Sequence, residues 1–320
     1  MGLLVDGQWQ DKWYDTSSSG GKFERQASQF RETVSQDHAT FKPESGRYHL
    51  YVSLACPWAH RTLIFRKLKR LEQHIGVSVV CPDMLEQGWT FERFPDATGD
   101  KLFDFDYMHQ VYTKAKPDVT TRVTVPVLWD TKTDTLVNNE SADIIRIFNS
   151  AFNDITGNVD DYYPSALHTE IDTINDFVYH NINNGVYKSG FATTQEAYEE
   201  AVTALFNALD VVEERLAKQR YLVGDQITEA DWRLFTTLVR FDAVYVGHFK
   251  CNIRRIVDYP HLWGYLRDLY AVEGVAETTN FAHIKRHYYY SHDMINPTRV
   301  IPNGPVIDFT QPHSRADISK

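Results

Sequence analysis

What the sequence lacks narrows its possibilities first. No stretch approaches the roughly 18 to 20 consecutive apolar residues that a membrane-spanning helix needs. The opening Met1-Gly2-Leu3-Leu4-Val5 is cut short by Asp6 before the core of a signal peptide could form. Cysteine is scarce: Cys56, Cys81 and Cys251 are odd in number and far apart, which argues against a secreted disulfide framework and for reduced thiols. The expected address is the cytoplasm. There is no phosphate loop and no dinucleotide fingerprint. Nor is there a basic tail, and with a net charge of −10 neither nucleic acid nor an anionic membrane is expected as a main partner, because both require clustered positive charge. The run Arg66, Lys67, Lys69, Arg70 alternates with apolar Leu63, Ile64, Leu68 and Leu71 at helical spacing, so it reads as a solvated helix face.

What is present suits a globular chain of two domains. Its 320 residues are 42% hydrophobic, enough to bury a sizeable core. After an irregular start punctuated by Ser17-Ser18-Ser19-Gly20-Gly21, the segment 48–53 reads as a strand. A helix follows from Pro57 to about Gln73, then a buried strand over 77–80, giving a parallel βαβ unit. Residues 84–120 look like an insertion carrying Trp89. Strands resume at 123–129, interrupted by Pro126 in a way that often marks a cis bond, and at 135–137. Asn138-Asn139-Glu140-Ser141 offers helix caps. Beyond Pro164 the pattern turns to amphipathic helices, over about 194–218, 229–246 and 260–272 among others.

The chemistry centres on Cys56. A cysteine directly ahead of a proline-started helix lies near unpaired backbone N–H groups and the positive end of the helix dipole, which favour thiolate. His60 and Arg61 can add positive charge. Cys56-Pro57-Trp58-Ala59 is a Cys-x-x-Cys redox motif with its second thiol replaced by Ala59. A mixed disulfide at Cys56 must then be resolved by an external thiol, for which glutathione is the abundant candidate. The competing reading is a small buried cysteine, to which Cys81 and Cys251 are assigned. His283 and His287, spaced i, i+4, lack the intervening glutamate of a zinc-protease helix and read as surface histidines; no metal site is expected.

Several motifs together carry a resemblance. Cys56 to Arg61, Thr124 to Asp130, Asn139 to Ala142 and the tyrosine-rich stretch before Asn296-Pro297-Thr298-Arg299 resemble the glutathionyl-hydroquinone reductases, the xi class of glutathione transferases, over essentially the whole chain. The resemblance implies an α/β thioredoxin-like N-terminal domain plus an all-α C-terminal domain. Residues 1–45 are then an irregular extension, 46–155 the glutathione-binding domain, 160–290 the helical substrate domain and 291–320 an irregular tail. It implies that Cys56 is the nucleophile and that Trp89, the Arg122-Val123-Thr124-Val125 segment, Glu140 and Ser141 bind glutathione. Tyr187, Tyr245 and Tyr288 fall to the aromatic site. Read without the resemblance, Asn139 and Ser141 are equally well ordinary caps and Glu140 a charge complementing the helix dipole. Thr228-Glu229-Ala230-Asp231 fits a capping box and resembles the folding motif of the helical transferase domain.

The implied reaction reduces glutathionyl-hydroquinones with glutathione as co-substrate, no cofactor, and a homodimer as the working form. A general omega-like glutathione thioltransferase would share the nucleophile but not the hydroquinone site. A non-catalytic module keeping the transferase fold as a scaffold would have no need of the thiol.

Overall fold

The computed structural model describes residues 2–318. Two compact units emerge from it, and both are built from discontinuous segments. The first comprises the chain up to Trp13, Gln26–Asp160 and Thr278–Asp293; the second comprises Tyr14–Arg25, Asp161–Glu277 and the stretch from Met294 onward.

In the first unit, the apolar run that predicts a strand forms β3 (Tyr48–Val52), buried throughout. Helix α1 (Pro57–Leu68) follows, then β4 (Ile75–Val79), parallel to β3 with Leu50 opposite Val77. The helix ends sooner than its apolar spacing suggests, because the chain turns left-handed at Arg70. Strands β6 (Val127–Asp130) and β7 (Thr135–Asn138) complete a mixed four-stranded sheet in the order β4-β3-β6-β7. Pro126 stays out of the ladder just before β6, and Val125–Pro126 is cis. Helix α3 (Ser141–Ser150) packs on α1, burying Ile144, Ile145 and Phe148.

Three expectations change here. The start is not wholly irregular: β1 (Leu3–Val5) and β2 (Gln8–Gln10) pair, and β1 also pairs with β5 (Thr121–Arg122). Between β4 and β5, the stretch read as an insertion carries helix α2 (Met108–Ala115). The basic run at the end of α1 is only in part a solvated face: Arg70 is exposed, but two of the others turn inward or along the backbone. Lys69 is buried, with its ammonium on the carbonyls of Asn158 and Asp160, and Arg66 donates to Ile75 O and Glu72 O. Carbonyls that end neighbouring turns need donors, and these cations supply them.

The second unit is helical. Short α4 (Asn153–Thr156) closes the first unit's main segment. Then α5 (His168–Val178), α6 (Gly185–Gly190), α7 (Gln195–Leu216), α8 (Glu229–Arg240) and α9 (Pro260–Tyr270) build the second. Wider i→i+5 turns follow α5 at Tyr179–Asn183 and α8 at Phe241–Tyr245. Helix α8 begins with the anticipated capping box between Thr228 and Asp231. The tail is anchored: Arg315, 2% exposed, donates to Leu216 O, Gln219 O and Arg220 O at the end of α7.

The last helix, α10 (Phe281–Ser291), belongs to the first unit although its sequence placed it with the helical domain. Arg286 pairs bidentately with Asp83 at 2.6 and 2.7 Å. His283 and His287 are buried, not surface residues, since their ring nitrogens bond the carbonyls of Pro95 and Pro82. No helix among the described residues is long and apolar enough to cross a membrane.

Candidate active site

Cys56 is the N-cap residue of α1. Its backbone is extended (φ −75°, ψ 122°), its side chain makes no cap bond, and Pro57 occupies the first helical turn. A helix start of this kind concentrates positive potential on whatever sits before it. The thiol is half-buried and donates to the carbonyl of Val125 at 3.5 Å, immediately before the cis proline. Ala59, three residues on, is fully buried. The other two thiols differ. Cys81 and Cys251 are buried; burial raises the Cys81 thiol and pushes Cys251 up to about 12, so both are held protonated.

The start of α3 lies on the helix that packs against α1. Glu140 is its N-cap: Oε1 accepts from Ala142 N at 3.1 Å and Oε2 from Ser28 Oγ at 3.0 Å. Ser141, 2% exposed, is the first helical residue. The Arg61 guanidinium, buried and stacked 4.6 Å over the Trp58 ring, donates to Ser141 Oγ at 3.4 Å. Arg61, which in sequence offers a charge near Cys56, reaches the first residue of α3. A serine hydroxyl, a helix N-terminus and a guanidinium together make a place for a carboxylate. Asn139 is no cap; its side chain reaches Tyr112 Oη at 3.2 Å.

Trp89 is buried and stacked on His287, with ring centroids 4.7 Å apart. In sequence, the i, i+4 spacing of His287 on α10 is what bears on this contact, and spacing alone assigns that ring to the surface. Along 122–125, the Arg122 guanidinium is committed to the carbonyls of Lys12 and Trp13. Tyr112 Oη bonds both the N–H and the carbonyl of Thr124, and Val123 is buried.

The three tyrosines divide between the units. Tyr288, 1% exposed, lies on α10 of the first unit between His287 and His292, at centroid distances of 5.2 and 5.7 Å. Tyr187 on α6 and Tyr245 at the end of the turn after α8 belong to the second, 6.3 Å apart, both against Phe249. Among the described residues no group of three or more His, Cys, Asp or Glu is arranged to hold a metal ion.

Known proteins match this chain end to end. A family model for the glutathione S-transferase N-terminal domain covers residues 55–151, and one for the C-terminal domain covers 195–268. Glutathionyl-hydroquinone reductase YqjG of Escherichia coli is 58% identical, over 98% of each chain. Its glutathione-bound structure matches with a TM-score of 0.91 at 53% identity, covering 98% of this chain and 99% of that one. Glutathionyl-hydroquinone reductase PcpF of Sphingobium chlorophenolicum is 56% identical over 95% of this chain and 96% of its own. A xi-class glutathione transferase from Natrialba magadii matches with a TM-score of 0.92 at 50% identity, over 99% and 97% of the two chains.

Proposed function

The chain belongs to the glutathione transferase family, in the xi class of glutathionyl-hydroquinone reductases, and on that premise we propose that it reduces glutathionyl-hydroquinones at Cys56 with glutathione as co-substrate. One observation carries the reading: a half-buried thiol stands at the N-cap position of a proline-started helix, beside Val125 O, and has alanine where a resolving thiol would stand.

The electrons balance in two displacements. The Cys56 thiolate attacks the sulfur of the conjugate, the aryl carbon leaves with the carbon–sulfur electron pair and takes a proton, and a Cys56–glutathione disulfide forms. A second glutathione thiolate attacks that disulfide, releasing oxidised glutathione and the Cys56 thiolate. Ser141 with Arg61 suits the γ-glutamyl carboxylate and Glu140 its ammonium; Trp89 and the 122–125 backbone would flank the rest. Tyr187 supplies the proton, while Tyr245 and Tyr288 hold the ring oxygens. These tyrosine roles rest on the family resemblance. The scarcity of cysteine supports a cytoplasmic setting, and the resemblance supports a homodimer, which light scattering on the purified protein tests.

The deciding experiment compares turnover on a glutathionyl-hydroquinone with turnover on a simple glutathione mixed disulfide. Tyr187→Phe should slow the first by roughly 10² to 10⁴, the span of a lost general acid, and spare the second, whose sulfur leaving group needs no proton on carbon. Native turnover of the disulfide alone would leave an omega-like thioltransferase. Turnover of neither would leave a scaffold.

A further inference from the structure

The segment Tyr14–Arg25 is part of the helical second unit although it precedes the thioredoxin-like domain in sequence. Its attachment is specific. Gly21 has φ +87°, and a Cβ there would lie 2.7 Å from the Thr194 side chain, so only glycine fits. Gly21 O accepts from Thr193 N at 3.1 Å, and Phe23, 5% exposed, packs against Phe191 and Tyr14 at centroid distances of 5.4 and 4.7 Å. Two residues on, the Arg25 guanidinium lies 5.1 Å from the Tyr187 ring centroid and 5.8 Å from that of Phe23. Its Nε donates to Asn184 Oδ1 at 3.0 Å, and Asn184 directly precedes α6, which carries Tyr187. Ring and cation are thus held by one short stretch of α6 and one docked segment.

A guanidinium within about 6 Å of an aromatic face is attracted to the electron density of the ring. That density grows when a phenol gives up its proton, so the attraction is larger for the product of the transfer than for its reactant. We propose that Arg25 is a positioning residue for the reduction of glutathionyl-hydroquinones: it fixes the Tyr187 ring and stabilises it as its proton passes to the departing aryl carbon. The phenolate left behind regains a proton from solvent before the next turnover. This inference rests on the assignment of Tyr187 as the proton donor.

Arg25→Met keeps the length and loses the charge, and Arg25→Lys keeps the charge and loses the flat guanidinium. Arg25→Met should lower kcat on a glutathionyl-hydroquinone roughly 3- to 30-fold, the range of one cation–π contact. It should leave KM for glutathione and turnover of a simple mixed disulfide at native values. Arg25→Lys should recover part of the loss, and in a Tyr187→Phe background Arg25→Met should cost nothing further. Equal losses on both substrates, or an undiminished loss in the Tyr187→Phe background, would overturn the role. If Tyr187→Phe itself turns over the hydroquinone conjugate at the native rate, the proton-donor assignment falls and this inference falls with it. If Tyr187→Phe is slow while Arg25→Met is native, the inference alone falls.

Discussion

Two helix starts in this protein solve the same electrostatic problem in opposite ways. At α8, Asp231 is fully buried and accepts from Thr228 N at 2.7 Å, Thr228 Oγ1 at 3.1 Å, Leu222 N at 2.9 Å and Tyr265 Oη at 2.9 Å. The helix end is sealed from inside by a charge of the fold's own. At α1, the side chain in the capping position makes no cap bond, no acid lies in the first turn, and that side chain is the half-buried Cys56 thiol. The positive end that one helix spends on folding is kept by the other for a thiolate. The start of α3 lies between: Glu140 caps it and is also the residue proposed to meet the ammonium of glutathione.

The contrast breaks most visibly at Cys56. Cys56→Ala should abolish turnover on either substrate while melting like the native protein. Incubating the native enzyme with conjugate and little free glutathione should leave one glutathione on Cys56, seen by intact mass. Attachment at Cys81 or Cys251 would transfer the nucleophile to a thiol that burial holds protonated, and the comparison would fail.

At the sealed end the loss should appear in stability instead. Asp231→Ala strands several buried donors, which costs roughly 3 to 5 kcal/mol in denaturant melts. Its activity per folded molecule at low temperature should stay near native. A variant as stable as the native protein would mean that the box is not what closes α8.

A third test sharpens the α1 side through pH. His49, on the strand leading to Cys56, is buried with Nε2 2.8 Å from Ser78 Oγ, and desolvation pushes it down to about 4. The unfolded chain takes up that proton near 6.5, so this histidine's contribution is complete above that pH. It is lost progressively as the pH falls from 6.5 towards 4, by roughly 3 kcal/mol in all. Melts of His49→Gln should lose stability less steeply across that window; an unchanged slope would show that His49 is not the group responsible.

The smallest effect is expected at α3. Glu140→Gln keeps an oxygen for Ala142 N and removes the charge, so glutathione should bind roughly 1.5 to 3 kcal/mol more weakly with melting unaltered. Calorimetry and melting together decide this: lowered stability with native affinity would make Glu140 a cap alone.

Local signals carried much of this architecture. The apolar run at 77–80 was enough for a parallel neighbour to β3, Pro57 for the start of α1, and Thr228 with Asp231 for the box of α8, because each depends on residues a turn or a strand apart. What sequence spacing hid lies in contacts across the chain. Periodicity on α10 marks His283 and His287 as i, i+4 neighbours, but nothing local shows that Pro95 O and Pro82 O, about 190 and 205 residues earlier, will receive them. Lys69 reads as solvated until the carbonyls of Asn158 and Asp160 are placed beside it. The same holds for Trp89, whose stacking partner His287 lies near the other end of the chain.

The discontinuous make-up of the two units bears on biosynthesis. The chain changes unit after Trp13, Arg25, Asp160, Glu277 and Asp293. A ribosome therefore releases the helices of the second unit before it makes α10, and the aspartate and prolyl carbonyls that α10 will satisfy emerge long beforehand with no partner. Domains usually mature in the order of synthesis; here the earlier-born one is finished late. Nascent chains arrested just short of Thr278 should hold the β3-α1-β4 unit in a state more easily cleaved in the 82–96 loop than the completed protein.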